Sequence, residues 1–392
     1  MEMLQTLKGF RDFLPKEARK RNFVIGKLRQ TFESFGFEPL ETPALEYEEV
    51  LSGKYGEEGQ KLMYRFTDAG DRAVAMRYDQ TVPLARVVAQ YQNDLPLPFK
   101  RYQIQNVWRA ENTQKGRYRE FLQCDIDTVG TKSLFADAEV IASITKAMEN
   151  LGIVNFKVLI NDRSVFEGID LKAIRVMDKL KKVGRGEVLK ELLALGLDEQ
   201  SLTKIEDMEA PESIKTIFAY LRELGIEEEK VRFSPTLARG LDYYTGTIFE
   251  VEIDGYLVGS VAGGGRYDNL IGNFGNSQIP AVGGAFGFDR LIEAMEEMDL
   301  FPTDLTTSEV LVTISKQSET QALRVALELR NNDVNVDLYP DLEVAVDKQL
   351  KYADKKGIPM VVLFQDDQAI LKDMESGEKS QTSIEELIKK LS

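Results

Sequence analysis

Residues 109–123 read RAENTQKGRYREFLQ, and the stretch concentrates positive charge in a chain whose net charge is -15. Its cations are Arg109, Lys115, Arg117 and Arg119. Strand-forming residues at 99–109 and 119–129 flank it, so it is predicted to be the tip of a β-hairpin. Arginine side chains match phosphate oxygens, and the face of Phe121 can stack on a base. The pattern predicts a hairpin that holds an anion, with a solvated basic hairpin as the alternative.

Composition limits the chemistry that the chain can perform. It contains no histidine and one cysteine, Cys124. Imidazole bases, imidazole metal ligands, Ser-His or Cys-His pairs and intrachain disulfides are therefore excluded. We expect no metal site built by the protein, a buried structural role for Cys124, and chemistry that uses carboxylates, cations or the substrate itself. Because no imidazole titrates near pH 6.5, stability should vary little between about pH 6 and 8 unless a carboxyl, thiol or amine pKa is strongly shifted.

The acidic balance argues against non-specific nucleic-acid binding but leaves selective binding through local patches open. No apolar run reaches the roughly 18 residues that a membrane helix needs, and the N-terminal MEMLQTLKGFRDFLPKE lacks the apolar segment of a signal peptide. We therefore expect no membrane partner. A cytoplasmic location is expected as well, since reducing compartments keep a lone thiol free.

The N-terminal half alternates helical and extended patterns. Residues 16–35 place Ile25, Leu28, Phe32 and Phe35 at helical spacing before Gly36, which predicts a helix with one buried face. The segment that follows is extended around Pro39 and Pro43. Residues 62–78 indicate two strands about a polar turn at Asp68–Asp71, and a helix is expected to begin after Thr81.

Helical spacing returns over 171–228, which predicts an inserted helical subdomain. Strand patterns follow at 246–261, and AVGGAFGFDRLIEAMEEM at 281–298 indicates a strand that runs into an amphipathic helix. Residues 302–307 are typical of a linker. Beyond it, EVLVTI, VNVDLY and MVVLF are short apolar strands between helical stretches, which predicts a small α/β domain with a mixed or parallel sheet.

Three further stretches could line a binding site. LARGLDYYTGTIFEVEIDG (237–255) combines a cation, a carboxylate and two phenols, although a turn with packed tyrosines is the simpler interpretation. AGGGRYDNL (262–270) allows close backbone approach to a ligand, or forms a β-bulge. AFGFDRLIEAM (285–295) sets Arg290 at a strand-to-helix junction, where a surface pair with Asp289 is the alternative.

Taken together and in this order, these stretches resemble the histidyl-tRNA synthetase family of class II aminoacyl-tRNA synthetases. KGFRDFLP, the Pro43 segment, RYDQT, the basic hairpin, RGLDYYTGTIFE, GGGRYDNL, FGFDR and KQLKYADKKGIPMVVLF carry the resemblance over nearly the whole chain. It implies an α+β fold: a class II catalytic core at 1–301, built on an antiparallel sheet with flanking helices, with a helical insertion at about 171–230. It also implies an α/β anticodon-binding domain at 308–392.

The resemblance implies an ATP site in the hairpin. Arg109 would contact the α-phosphate as a catalytic cation, Glu111 would lie near the adenine, and Arg117 would reach the outer phosphate. Phe121 would stack on the base, with Arg290 covering its other face. ATP is expected as substrate with Mg²⁺. The attacking group is the substrate carboxylate, so positioning and charge stabilisation suffice without an enzymatic base.

The resemblance also implies a site for L-histidine. Asp79 and Thr81 would hold the α-amino group, and Gln123 would contact both polar ends of the backbone. The imidazole would be recognised by Asp127, Tyr244 and Tyr267, with Tyr243 beside them. Arg239 corresponds to the family's catalytic arginine, which contacts histidine and adds positive charge at the α-phosphate.

Partners follow from the same resemblance: tRNA(His), with Gln114 beside its discriminator base, and a second copy of the chain in a homodimer built on the Pro43 segment. The hairpin tip reads ENTQKGR where bacterial members commonly have ERPQKGR, which leaves recognition of the tRNA 5′ end open. Basic residues over 172–190 form a patch that faces an acceptor arm or only solvent. The alternative function is a non-catalytic, histidine-sensing regulatory subunit of ATP phosphoribosyltransferase.

Overall fold

The computed structural model describes residues 4–52, 60–113, 116–177, 179–197, 199–238, 243–275, 277–303, 305–365 and 368–391. The chain divides into two compact units, Met1–Phe13 with Arg21–Leu300 and Leu14–Lys20 with Phe301–Ser392. Within the described ranges, no helix is both long enough and apolar enough to cross a membrane.

Of the sixteen strands found in the described residues, the first unit contains eleven, together with most of the helices described. Its strands are β1 (Glu38–Pro39), β2 (Leu45–Tyr47), β3 (Arg65–Thr67), β4 (Ala73–Met76), β5 (Phe99–Trp108), β6 (Glu120–Val129), β7 (Phe156–Asp162), β8 (Val231–Phe233), β9 (Thr247–Ile253), β10 (Ala262–Arg266) and β11 (Ala281–Gly287). Its helices are α1 (Pro15–Ser34, shared with the second unit), α2 (Glu48–Leu51), α3 (Thr81–Gln90), α4 (Leu134–Asn150), α5 (Leu171–Met177), α6 (Leu180–Val183), α7 (Arg185–Ala194), α8 (Glu199–Glu206), α9 (Glu212–Glu223) and α10 (Phe288–Glu297).

An eight-stranded sheet forms the centre of this unit, in the order β1-β5-β6-β11-β10-β9-β7-β8. The pairs β1–β5 and β7–β8 at its two edges are parallel, and the pairs between them are antiparallel. A small antiparallel sheet, β2-β4-β3, stands apart from it. The predicted antiparallel core with flanking helices is confirmed.

The predicted hairpin at 99–129 is observed as β5 and β6, with ends within one residue of the expected ones. Its two strands pair over their full length, with Phe99 opposite Val129 and Trp108 opposite Glu120. Alternate side chains on a strand point to opposite faces, so one face of β6 carries Cys124 and Ile126, and the other carries polar groups. Cys124 is fully buried, as predicted.

Helix α1 packs against the sheet through a face that includes two of the four predicted residues, Leu28 and Phe32. Val24, Leu28 and Phe32 are buried, whereas Ile25 and Phe35 are only half-buried, so the prediction that they share the core face was wrong. The ring of Phe32 lies 5.9 Å from that of Tyr102 on β5. Val24 and Leu28, with Phe32, follow the i, i+4, i+8 spacing of one helix face, which Ile25 does not share.

The predicted strand at 246–261 is corrected, because β9 ends at Ile253. Gly255 and Gly259 have φ of 86° and 125°, conformations that break a strand and that glycine adopts without steric cost. The apolar residues between them therefore form a turn, in which Leu257 is 96% exposed. The glycines at 263–265 are not a bulge, since β10 is paired residue by residue with β9 and with β11.

The predicted helical stretch is observed as the short helices α5 to α8, followed by α9. Buried residues of α5, α7 and α8 pack in one hydrophobic core with Tyr244 and Tyr267. These helices therefore support the region beside the central sheet in which the two tyrosines lie. Helix α9 instead packs on α4, where the rings of Phe135 and Tyr220 lie 5.5 Å apart at right angles.

The second unit holds a mixed five-stranded sheet in the order β13-β12-β14-β15-β16. Its elements are β12 (Val310–Val312), α11 (Glu319–Arg330), β13 (Val336–Leu338), α12 (Val346–Lys356), β14 (Met360–Gln365), β15 (Gln368–Asp373), β16 (Lys379–Thr382) and α13 (Ile384–Leu391). The three predicted apolar strands pair in parallel, which confirms the α/β prediction. The antiparallel strands β15 and β16 were not predicted, because their sequences QAILKD and KSQT lack a long apolar run.

Candidate active site

A cavity of about 340 Å³ opens on the polar face of the central sheet. It is lined by every predicted site residue that the structure describes: Asp79, Thr81, Arg109, Glu111, Arg117, Phe121, Gln123, Asp127, Tyr243, Tyr244, Tyr267 and Arg290. The two other predicted residues, Arg239 and Gln114, lie outside the described residues. Stretches separated by up to two hundred positions in the sequence thus meet in one place.

The floor of the cavity is a ladder of polar side chains on β6. Gln123, Asp125 and Asp127 occupy alternate positions and therefore share a face. On β5 they are opposed by Gln105, Gln103 and Arg101, and on β11 by Gly287, Ala285 and Gly283. Strands β5 and β6 thus carry polar side chains on this face, and the neighbouring strand β11 carries only small residues. The small residues leave open space above β11.

Asp127 is buried between two partners. Arg101, itself fully buried, places Nη2 at 2.7 Å from Asp127 Oδ2, and the Tyr267 hydroxyl donates a hydrogen bond to Oδ1. Burial raises the pKa of Asp127 to about 6, while the Arg101 guanidinium and the Tyr267 hydroxyl act in the opposite direction. Burial and the Asp127 charge also raise the pKa of Tyr267 well above its ordinary value, so this phenol stays a hydrogen-bond donor.

Three tyrosine rings form the wall next to Asp127. The Tyr243 ring centre lies 4.8 Å from that of Tyr244 and 5.9 Å from that of Tyr267. Glycines on the neighbouring strands make room for these groups. A Cβ atom at Gly283 would lie 1.8 Å from Asp127 Oδ1, and one at Gly265 would lie 2.9 Å from Tyr244 Cδ1. The glycines therefore accommodate the protein's own side chains, in addition to any ligand.

The start of α3 closes one end of the cavity. Asp79 is buried, and its Oδ1 accepts a hydrogen bond of 3.0 Å from the backbone N–H of Val82. The neighbouring Gln80, which is fully buried, donates to the carbonyl oxygens of Gln105 and Gln123 at 2.7 and 3.3 Å. These bonds tie the start of the helix to both strands of the hairpin and fix the Asp79 carboxylate beside the β6 ladder.

At the other end, Arg109 lies between two aromatic rings. Its guanidinium carbon is 4.4 Å from the centre of the Tyr78 ring and 5.1 Å from that of Phe121, and Nε donates to the Tyr78 carbonyl at 3.0 Å. Such stacking restricts a long side chain to one orientation. Arg117 is less enclosed: its side chain is 54% exposed and pairs with Glu111 at 3.3 Å.

Arg290 lies in the first turn of α10 and donates to the Ser260 carbonyl at 3.1 Å. Asp289, beside it, pairs with Arg11 at 2.9 Å and with Arg21 at 2.8 Å. The alternative of an Asp289–Arg290 surface pair is absent from the ion pairs of the described residues.

The N-terminal segment braces this end of the site. The Arg11 guanidinium lies 3.2 Å from the centre of the Tyr118 ring on the hairpin, and it also pairs with Asp289 at the start of α10. The Gly9 carbonyl accepts a hydrogen bond of 2.9 Å from the backbone N–H of Arg119. The segment thus links the two elements that carry Arg117 and Arg290.

Comparison with known proteins agrees with this arrangement. A family model described as histidyl-tRNA synthetase matches residues 9–183 and 163–291, and one described as an anticodon binding domain matches residues 309–392. The chain belongs to the histidyl-tRNA synthetase family.

Relatives match over the whole length. A histidine–tRNA ligase from Cytophaga hutchinsonii is 38% identical over an alignment 453 positions long, which covers 100% of both chains. One from Christiangramia forsetii is 38% identical and covers 95% of this chain and 96% of its own. The crystal structure of histidyl-tRNA synthetase from Nostoc sp. PCC 7120 superposes with a TM-score of 0.88 at 31% identity, covering 100% and 99% of the two chains. The predicted family and fold class are confirmed.

Two buried residues of this member of the histidyl-tRNA synthetase family were not identified from the sequence. Arg101 fixes Asp127, and Asp125 lies between Gln123 and Asp127 on the cavity floor. The signal that could have identified them is the alternation in RYQIQ and QCDID, where every second residue is polar within the two strands predicted to flank the hairpin tip.

Three basic side chains of the patch in the helical insertion, among those that the structure describes, pair with carboxylates. Lys179 pairs with Glu191, Lys190 pairs with Glu187, and Arg185 pairs with Glu206 at 2.7 Å. Exposed pairs of this kind contribute little stability, but they reduce the charge that a phosphate would meet. For the side chains of this patch that the structure describes, the ion pairs favour a solvated helix face over a surface that binds an acceptor arm.

Proposed function

We propose that the protein activates L-histidine with ATP, giving histidyl-adenylate and pyrophosphate, and then transfers histidine to the 3′ end of tRNA(His). It is thus a histidine–tRNA ligase. The observation that carries the proposal is the convergence of the described site residues on one cavity in a chain that matches such ligases over its full length. Aminoacylation of tRNA(His) with labelled histidine tests it, and transfer of another amino acid at a comparable rate would contradict it.

The end of the cavity near Asp127 suits an imidazole ring. Asp127 and Tyr267, with Tyr244, offer a carboxylate and phenols to the ring N–H and ring nitrogen, and the fixed Arg101 prevents Asp127 from turning away. A side chain without these polar groups would leave buried donors and acceptors unpaired, which costs more binding energy than a misfit of shape. Asp79, Thr81 and Gln123 hold the amino acid's backbone, and Tyr243 packs beside the ring.

The opposite end suits the nucleotide. Arg109 is held by Tyr78 and Phe121 and contacts the α-phosphate, where negative charge grows as the substrate carboxylate attacks. Arg117 exchanges its Glu111 partner for the outer phosphate, which is a stronger acceptor. Glu111 then lies near the adenine, while Phe121 and Arg290 contact the base. Arg239 is proposed to add positive charge at the α-phosphate and to contact histidine.

Mg²⁺ is proposed to arrive with the nucleotide. Among the described residues, no group of three or more acidic or cysteine side chains is arranged to hold a metal ion. Mg²⁺ commonly binds through one or two carboxylates and substrate phosphates, so the phosphates of ATP would supply part of its ligand set. The ion would neutralise charge on the phosphates.

We assign residues 1–301 to catalysis, with the insertion at about 171–230, and residues 308–392 to anticodon binding. The match of an anticodon binding domain model to residues 309–392 supports the second assignment. Gln114 is proposed to lie by the discriminator base of the tRNA. A histidine-sensing regulatory subunit of ATP phosphoribosyltransferase would need no anticodon-binding domain, so this match also favours the ligase.

The homodimer is proposed on the surface of the first unit. The small sheet β2-β4-β3 follows the Pro43 segment and exposes the apolar side chains Leu45, Tyr47 and Phe66. An exposed apolar patch of this kind marks an interaction surface, and a two-fold contact would cover it on both copies. Light scattering should give close to twice the chain mass of 44.3 kDa, and a monomer mass at micromolar concentration would contradict the dimer. A cytoplasmic location is inferred from the free, buried Cys124.

A further inference from the structure

Asp125 is a buried carboxyl group on the cavity floor to which no role has yet been assigned. It is 3% exposed and lines the cavity midway between Gln123 and Asp127. Two residues along a strand correspond to roughly 6–7 Å, so the three side chains follow the length of an amino acid laid along β6. Asp125 lies beneath the middle of that path.

The described neighbours of Asp125 leave one of its carboxyl oxygens without a hydrogen-bond donor. Ala285, opposite it on β11, has no side-chain donor, and the amide of Gln103, opposite it on β5, donates to Thr42 Oγ1 at 2.8 Å and to Gln105 Oε1 at 2.6 Å. Asp125 Oδ1 is buried and has no hydrogen-bond partner in the structure as described. A buried acceptor without a partner is unfavourable, so a ligand donor that pairs with it is favoured.

A second unpaired acceptor lies on the same face. Gln123 Oε1 is also buried and lacks a partner among the described residues. Asp79, across the cavity, is close enough for its charge to act on Asp125. The two ladder positions and Asp79 together offer three acceptor groups around one end of the site.

An ammonium group has three N–H donors that match this set in number, and its positive charge favours the ionised form of Asp125 when the two groups meet. The other donor of histidine, the ring N–H, is already served by Asp127. We propose that Asp125 is a further substrate-binding residue, which accepts a hydrogen bond from the α-ammonium group of the amino acid alongside Asp79 and Gln123 Oε1. This inference rests on the proposed function, because it takes histidine as the ligand of the cavity.

Two ligands that differ only in the ammonium group test the assignment. Histamine carries an imidazole and an ammonium, and 4-ethylimidazole carries the imidazole alone. Their inhibition constants against histidine in ATP–pyrophosphate exchange are measured for the wild type and for Asp125→Asn, with Asp125→Ser as a second variant. Asp127→Asn is the matched control, since it removes a carboxylate from the same strand at the imidazole end.

We expect Asp125→Asn to lower the preference for histamine over 4-ethylimidazole at least tenfold, because it removes a charge-assisted hydrogen bond to the ammonium. Asp127→Asn should weaken both ligands and keep their ratio within about threefold. A ratio in Asp125→Asn and Asp125→Ser that stays within threefold of the wild type overturns the inference. If the two variants also have a lower melting temperature, the role of Asp125 is structural. Its partner would then be Nε of Arg101, which also lacks a hydrogen-bond partner among the described residues.

The test also separates this inference from the proposed function. A wild-type chain that binds histidine and histamine, with variants of unchanged ratio, contradicts the assignment of Asp125 alone. A wild-type chain that binds neither molecule contradicts the proposed function as well.

Discussion

Asp127 shows how one residue combines burial, charge and hydrogen bonding at the end of the cavity proposed to bind imidazole. Its carboxyl group is enclosed, which raises its pKa to about 6, yet Arg101 and Tyr267 both stabilise the ionised form. At neutral pH it is therefore mostly ionised and can accept the ring N–H of histidine. The opposing effects make the group sensitive to the loss of any partner.

Replacement of Asp127 by asparagine should reduce discrimination for histidine over 2-thiazolylalanine, whose ring has no N–H donor. We expect a loss of at least tenfold, because the charge-assisted bond to the ring N–H is removed. The selectivity is measured as the ratio of kcat/KM values in ATP–pyrophosphate exchange. Asp268→Asn, which alters a carboxylate paired with Arg266 beside Tyr267, is the control and should leave the ratio unchanged. Equal selectivity in Asp127→Asn and the wild type would contradict the role.

Residues that carry recognisable motifs could be predicted for the site, whereas those that only support them could not. Asp127 and Tyr267 belong to family motifs, but Arg101 and Asp125 stand in strands whose polar alternation has meaning only once the pairing partner is known. The register that sets Arg101 opposite Asp127 depends on the loop that joins β5 to β6, which is much longer than a two-residue hairpin turn. A single sequence does not specify that register directly.

At the scale of the element, strands β10 and β11 are joined closely enough that side chains would not fit between them. A Cβ atom at Gly264 would lie 2.0 Å from the carbonyl oxygen of Gly283, which precedes its pairing partner Gly284 on β11. Backbone atoms cannot move aside as a flexible side chain can. The glycines of β10 are therefore required by the sheet itself.

The variant Gly264→Ala should destabilise the protein by at least about 2 kcal/mol, because the added methyl group forces the two strands apart. Urea unfolding followed by circular dichroism measures the change. Gly26→Ala is the matched control: Gly26 lies in α1 with no atom near its Cβ position, so the same substitution should stabilise the helix by about 0.5–1 kcal/mol. Similar unfolding midpoints for the two variants would contradict this account of β10.

Elements with a strong period could be predicted closely, as the β5–β6 hairpin and α1 were. The prediction failed at 254–261, where apolar residues between two positive-φ glycines form a turn. It also missed β15 and β16, which pair with an existing sheet edge and need little apolar character of their own. In both cases tertiary context outweighed the local pattern.

For the whole molecule, the absence of histidine predicts a stability that varies little between about pH 6 and 8, and the structure revises this expectation. Burial raises the pKa of Asp125 to about 8, with Asp127 and Asp79 adding to the rise and Arg101 and Arg109 opposing it. An unfolded aspartate titrates near pH 4. Between these values the folded protein holds a proton that the unfolded chain has lost.

Stability of the unliganded protein should therefore fall as pH rises from about 6 to 8, with a slope approaching 1.4 kcal/mol per pH unit for one proton. The change in stability that comes from Asp127 has the same sign, but most of it occurs below about pH 6. The free energy of unfolding, measured in urea at constant ionic strength, checks the slope. Asp125→Asn should flatten it, and a wild-type stability that stays constant over this range would contradict the raised pKa of Asp125.

The central claim, that this cavity activates histidine with ATP, is tested most directly by ATP–pyrophosphate exchange with each of the twenty amino acids. The account predicts exchange with histidine at least a hundredfold above the other nineteen, because the buried polar groups of the site reject side chains that cannot pair with them. No exchange with histidine, despite measurable histidine binding, would contradict catalysis and favour a histidine sensor. Faster exchange with another amino acid would contradict the assignment of the cavity itself.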